Sequence, residues 1–341
     1  MRSITMLICA CAVAGPSLSA LAQDDASAAG RAQFREHAAA LAPTVESDLA
    51  RTFLAVADDL RAVTPREVHY RRTDRAAMTP EQFEAASEAE REGFAPVTID
   101  WPQYYGFFST PLAWSRPLDV LAAHGFESAD GARILDFGFG NVGQLRMLAN
   151  MGAAVVGVEI PGIHEAMYRM PGDTGPVARA PEAGDGPGGS IDLVFGFWPG
   201  GEGMREAAGG GFDLIMTKNV LKLGYIHPQQ EADPATLVHL GVDDATFVEA
   251  LYGSLAPGGF VLIYNLYPQQ PEDRYLPWAH GENPFERSLW EATGFEVLAW
   301  NEPDSPAAQA MGRALGWDQQ RPETYEQDFN AMYTILRRPA E

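Results

Sequence analysis

Cysteine is almost missing from this chain. Of its 341 residues only Cys9 and Cys11 carry a thiol, and both fall in a short N-terminal stretch that reads as removable. Everything downstream is therefore without a disulfide, a thiolate nucleophile or a cysteine metal ligand. Histidine is sparse as well: there are seven, none at H-x-x-x-H spacing, and no carboxylate-rich loop of calcium-binding type accompanies them. No metal site is expected on that pattern. Positive charge is in short supply, with 24 Lys and Arg against 46 Asp and Glu and a net charge of −22. A surface of that sign repels phosphate backbones and anionic lipid, so nucleic-acid partners are not expected. There is also no G-x-S-x-G elbow, no phosphate-loop lysine pattern and no internal repeat.

Long apolar runs are lacking too, and the only candidate is N-terminal. Arg2 gives a positive start, residues 6–15 are apolar, and Ser19, Ala20, Leu21 and Ala22 end in an A-x-A pattern before Gln23. These are the parts of a secretory signal peptide cleaved near Ala22, and the apolar core is too short to span a bilayer. The expectation is export, to a bacterial periplasm or the medium, with no transmembrane segment after cleavage. With 46% hydrophobic residues, the rest suffices for one large α/β domain and an appendage. The expected division is a signal peptide over 1–22, an N-terminal helical and aromatic extension over 23–114, and an α/β domain over 115–341.

Within the extension, residues 23–33 are mostly Ala, Asp, Ser and Gln and read as unstructured. Val45, Leu49, Phe53, Val56 and Leu60 recur at helical spacing, which predicts an amphipathic helix started by Pro43 and ended by Pro65. Residues 66–78 hold Arg66, Arg71, Arg72 and Arg75 and read as a solvated connector. Thr79, Pro80, Glu81 and Gln82 form a capping box, predicting a helix to about Glu92. Residues 100–114 are the densest aromatic stretch. They read as a packed wall, although Tyr104, Tyr105 and Phe107 are also suited to closing over a cation.

The chain is organised around residues 134–160. Ile134 and Leu135 begin a buried strand, Asp136 stands at its end, and Gly138, Gly140 and Gly143 follow at G-x-G-x-x-G spacing. Leu145, Leu148 and Ala149 recur at helical spacing, Gly152 stops the helix, and a second apolar strand over 154–158 ends at Glu159. Glycines at such a turn let a ligand approach the backbone, and the helix behind it offers free N–H groups. A carboxylate at the end of the second strand is the usual partner of a ribose diol. This is the pattern of a nucleotide-type cofactor site, and taken alone it fits a nicotinamide or flavin dinucleotide as well. Asp136 tilts the balance, because a carboxylate there repels a pyrophosphate and suits a cationic amino group. Further strands read at 191–197, 212–217, 260–266, 295–300 and 331–338, alternating with helices, which implies an α/β fold with a mostly parallel sheet.

Taken together, residues 135–143 (LDFGFGNVG), Glu159, the segment FDLIMTKNVL, the stop LAPGG and the terminal strands resemble class I S-adenosylmethionine-dependent methyltransferases. The resemblance covers about residues 115–340, and the segments KNVLKLGYIHP and PWAHGENPF are similar to exported members of that superfamily. It implies a Rossmann-like, doubly wound, seven-stranded sheet with an antiparallel terminal strand, and S-adenosyl-L-methionine as cofactor. The glycines Gly138, Gly140 and Gly143 would form its cradle, with Asp136 near the amino group and Glu159 on the ribose. Where the family often has an Asp after strand three, this chain has Gly196, Phe197, Trp198 and Pro199, so Phe197 or Trp198 would flank adenine. Lys218, at the end of strand four, is placed with the cofactor or an anionic substrate group. Asn219 would orient an acceptor, and Tyr225 and His227 are candidates for acid–base work, since methyl transfer needs positioning and sometimes a base. The resulting expectation is a methyltransferase acting on a small molecule or an envelope component. Two alternatives stay open: an exported binding protein without catalysis on the same fold, and a dinucleotide oxidoreductase.

Overall fold

Strand runs punctuated by glycine and proline fold here into two sheets. The chain is described by a computed structural model covering residues 20–320 and 322–340, so most of the stretch read as a signal peptide lies outside the described residues. Strands β1 (Arg66–Arg71), β2 (Ala76–Met78) and β3 (Ala95–Ile99) form a small antiparallel sheet in the order β2-β1-β3. The main sheet takes β4 (Arg133–Phe137), β5 (Ala154–Glu159), β6 (Gly175–Val177), β7 (Gly189–Phe195), β8 (Phe212–Lys218), β9 (Leu255–Tyr267), β10 (Glu296–Pro303) and β11 (Asn330–Arg337). Its order is β10-β11-β9-β8-β4-β5-β7-β6.

The fold is the Rossmann-like, mostly parallel arrangement that the resemblance implies. Strands β5, β7, β8 and β9 run parallel to their neighbours around β4, and β11 is inserted antiparallel between β9 and β10. The strand count needs correction: among the described residues the sheet has eight, because β6 folds back antiparallel on the edge of β7 from a stretch read as loop. The chain departs from β4 in two directions, to β5 on one side and to β8 on the other. Ligands of open α/β sheets bind at such a switch point, outside the carboxyl ends of the strands. Alternation along β4 feeds both faces, Ile134 into one core and Leu135 into the other.

The extension is not simply helical. Residues 66–78 make β1 and β2, and the stretch read as unstructured belongs to a helix, Ala20–Leu41, whose Phe34 packs edge-on to Trp101 at 5.5 Å. The next helix is Asp48–Ala55, capped by Ser47, whose side chain accepts from the Ala50 amide; Pro43 sits in a separate turn, Ala42–Thr44. The Thr79 capping box forms, but its helix stops at Ala85, and a second box at Ser87 starts Glu88–Arg91. Phe53, Tyr104 and Trp114 of the extension share one core with Leu145 and Leu262 of the main domain. Two buried polar hubs reinforce that union. Arg116 holds Asp304 with two nitrogens and Asp119 with a third, while the Tyr264 hydroxyl donates to Asp304 at 2.6 Å. Asp173, in the loop before β6, receives Arg61, Arg66 and the Tyr104 hydroxyl. Among the described residues no helix is long and apolar enough to cross a membrane.

Candidate functional site

The three glycines after β4 do different work. Gly138 and Gly140 adopt φ of +72° and +61°, a left-handed geometry that strains other residues. A Cβ on Gly138 would meet Val220 at 2.5 Å, and one on Gly143 would meet the Pro111 ring at 2.6 Å, whereas one on Gly140 has no neighbour within 4 Å. Gly140 alone faces open space; Gly138 and Gly143 are set by packing against the protein. We therefore expect Gly143→Ala to lower the melting temperature with ligand affinity kept. Gly140→Ala is expected to cost about 1 kcal/mol through its backbone and to lower ligand affinity as well. Thermal melts paired with titrations separate the two.

Around that turn lie three charged groups. Glu159, at the end of β5, accepts from the Gly140 amide at 3.3 Å and from the Ile160 amide at 2.9 Å, which fixes its carboxylate beside the turn. Asp136 is fully buried; one oxygen accepts from Gln144 Nε2 at 3.0 Å and the other has no partner. Burial pushes the Asp136 carboxyl up to about 7, against the opposing pull of the Gln144 hydrogen bond and the Lys218 charge. Lys218 ends β8, the strand beside β4, and its ammonium lies 5.3 Å from the centre of the Trp114 ring. It makes no hydrogen bond among the described residues, and burial lowers it to about 8 despite the attraction of Asp136. The site thus holds an acid and a base that sense one another, each with hydrogen-bonding capacity left over.

Several expected site residues are placed elsewhere. Asn219, at a left-handed φ of +66°, uses its side-chain oxygen to accept from the Leu266 amide at 2.7 Å, so it ties β8 to β9 and does not point a free carbonyl at an acceptor. Tyr225 lies under the Lys222 ammonium at 5.4 Å, and burial raises its phenol to about 12, which unsuits it as a base near neutrality. His227 is exposed and pairs with Asp244 at 2.8 Å, in a cleft of about 800 Å³ that also holds His239 and Asp243. Trp198 is buried in the second core, against Phe137 and Phe247 at 5.9 and 5.8 Å. Phe197 instead stands 51% exposed, as does Ile160 at 53% beyond the end of the adjacent strand β5. Tyr104 and Tyr105 are core, and Phe107 packs edge-on to Tyr70 at 6.0 Å.

Two residues of the site carried no sequence signal. Lys222 is buried, and its ammonium donates to the carbonyls of Leu266 and Trp278, clamping the 276–280 segment over the turn that follows β8. His164 lies against Phe108 at 4.7 Å and Phe139 at 5.6 Å beside the glycine turn. Burial lowers its pKa, which keeps the ring neutral near pH 7. Both partners are distant in the chain, so no local pattern marks either residue. Among the described residues no group of three or more side chains could hold a metal.

No protein-family model matches the chain. No curated protein matches it either. Solved structures do resemble it. Phosphoethanolamine N-methyltransferase 2 of Haemonchus contortus, in complex with phosphomonomethylethanolamine and S-adenosylhomocysteine, is 15% identical, with 86% of this chain and 75% of that one covered at a TM-score of 0.40. An S-adenosylmethionine-dependent methyltransferase of Mesorhizobium loti is 18% identical over 66% of this chain and 98% of that one, at 0.35. The cyclase SpnF is 16% identical over 65% and 80%, at 0.36. At these values the likeness carries no argument about function, which rests on the site.

Proposed function

We propose that the chain binds S-adenosylmethionine at the glycine turn and transfers its methyl group to an acceptor that enters over the ends of β8 and β9. One observation carries this reading: Asp136 and Lys218 attract one another beside the glycine turn, the first with a buried carboxylate oxygen that has no hydrogen-bond partner and the second with a half-buried ammonium that makes no hydrogen bond among the described residues. An unpaired buried polar atom is costly, so the arrangement fits a ligand bearing its own ammonium and carboxylate. The amino-acid end of the cofactor is such a zwitterion. A dinucleotide pyrophosphate gives Asp136 no cation. Glu159 is held where it can accept from both ribose hydroxyls, and the exposed Ile160 and Phe197 offer apolar faces to adenine.

When bound, the cofactor supplies a methyl group on a positively charged sulfur; the chain supplies position. Asn219, Lys222 and Tyr225 at the acceptor edge are spent on structure, so the acceleration we assign is mainly alignment of acceptor and methyl carbon. The acceptor is a small molecule or an envelope component, and the first 22 residues direct export. A second reading, an exported binding protein on the same fold, draws on those same engaged side chains.

Calorimetric titration with S-adenosylmethionine, S-adenosylhomocysteine and NAD is expected to show binding of the first two and none of the third. Glu159→Gln, which keeps one acceptor oxygen, is expected to weaken S-adenosylhomocysteine about tenfold, the loss of roughly one hydrogen bond. Binding of NAD with neither of the others would sink the reading. Transfer of labelled methyl to an envelope or small-molecule extract separates enzyme from binding protein.

A further inference from the structure

The chain lacks an acidic residue directly after β7, where Phe197 and Trp198 stand, so no carboxylate there accepts from the amino group of adenine. What lies beside Phe197 instead is the cleft of about 800 Å³ lined by His227, His239, Leu240, Asp243 and Asp244. A Cβ on Gly241 would lie 3.7 Å from the Phe197 Cβ, and Gly200 packs on Gly241 and Val242, so the exposed Phe197 stands next to the segment that lines the cleft. Asp243 is committed to capping the helix Asp244–Ser254, accepting from the Thr246 amide at 2.8 Å. Asp244 is not committed in that way. Its Oδ2 meets His227 Nε2 at 2.8 Å, and its other oxygen makes no hydrogen bond among the described residues. A carboxylate held on one side by an imidazole presents its remaining lone pairs in a fixed direction. A flat ring stacked on Phe197 and carrying an exocyclic amino group is a donor of matching shape.

We propose that Asp244 recognises the amino group of the cofactor's adenine, in place of the acid missing after β7, and that His227 is the positioning residue that orients it. The assignment rests on the cofactor reading above. It accounts for the location of His227, which an acid–base role at the methyl group does not. It also states a specificity: the site prefers an aminopurine over an oxopurine, because a group built to accept from an N–H rejects an analogue that offers an acceptor instead. A plain surface ion pair contributes little and is indifferent to the purine's substituent.

The test is calorimetry on the full chain with two probes, S-adenosylhomocysteine and S-inosylhomocysteine, which carries an oxo group in place of the amino group. Wild type is expected to prefer the first by tenfold or more. Asp244→Asn is expected to weaken it about tenfold and to remove the preference, since an amide can donate to the oxo group. His227→Ala should narrow the preference, and Phe197→Ala should weaken both probes alike. Thermal melts should stay at the wild-type value, since Asp244 and His227 are about half exposed. An unchanged preference in Asp244→Asn overturns this assignment and leaves the cofactor reading standing. Failure of wild type to bind S-adenosylhomocysteine overturns both.

Discussion

Asp173→Asn is expected to lower the free energy of unfolding by about 3–5 kcal/mol, the usual cost of removing one partner from a buried ion network. Asp173 is fully buried and accepts from Arg61 at 2.5 Å, Arg66 at 2.6 Å, the Tyr104 hydroxyl at 2.8 Å and the Met170 amide at 2.7 Å. Asparagine keeps the shape but turns one acceptor into a donor and removes the charge, leaving two guanidinium groups facing a neutral amide. Arg66 suffers most, because its side chain is only 10% exposed and water cannot take over the lost partner. The contrast is Asp48, whose pair with Arg51 is 98% exposed on the carboxylate side; Asp48→Asn should stay within about 0.5 kcal/mol. The damage should reach the site as well. The Tyr104 carbonyl accepts from the Tyr168 hydroxyl, which in turn accepts from the Val142 amide at the start of the glycine-turn helix. Denaturant unfolding of both variants measures the difference, and a loss below about 1 kcal/mol for Asp173→Asn would show that the hub is not what fastens the extension.

That hub also marks where sequence reading stopped. Arg66 read as solvated because arginines usually are, and nothing local could reveal a carboxylate 107 positions away. The stretch over 23–33 read as unstructured for the same reason: its composition is polar, but Gly30 lies so close to Pro102 and Trp101 that long-range packing holds its helix. By contrast, residues 134–160 were legible almost to the residue. Strand β4, the helix through Leu145, Leu148 and Ala149 and the end of β5 at Glu159 depend on period and glycine placement, which are local. The glycine pattern did not disclose which glycine faces open space, because Val220 and Pro111 decide that from elsewhere. Strand β6 escaped because three residues containing Gly and Pro carry no alternation. The different settings of Phe197 and Trp198, which the sequence left as equal candidates, have a simple cause: β7 ends at Phe195, two residues earlier than read, and the turn sends Trp198 inward.

The acid and base beside the glycine turn should make cofactor affinity depend on pH in a way that can be worked out. The ligand's ammonium needs Asp136 ionised, and its carboxylate needs Lys218 protonated. Asp136 sits at about 7 and Lys218 at about 8 before the ligand arrives. Affinity for S-adenosylhomocysteine should therefore be highest between those values and fall by about tenfold per pH unit on the acid side, where binding must first expel a proton from Asp136. The ligand's own amino group titrates on the alkaline side, so the acid limb is the diagnostic one. The sign for stability follows from the same shifts. Asp136 is raised above its usual 3.8, so its contribution is fully present below that value and lost as pH rises through about 7. Lys218 is lowered, so stability also falls as pH drops from 10.5 towards about 8. These two groups thus stabilise the free protein least between about 7 and 8, where both are charged and neither has a hydrogen-bonded counter-charge, and there the ligand should raise the melting temperature most. Asp136→Asn should cost about 2 kcal/mol or more of binding near neutral pH, roughly 30-fold, because the ligand's ammonium loses its counter-charge in a dry site. It should also erase the acid limb. Titrations from about pH 5.5 to 7.5 in buffers of different ionisation enthalpy would show proton release by the wild type and none by the variant. A wild-type affinity that stays level across that range would mean that Asp136 does not meet the ligand's ammonium, and the pairing of Asp136 with Lys218 would then need a purpose other than holding a zwitterion.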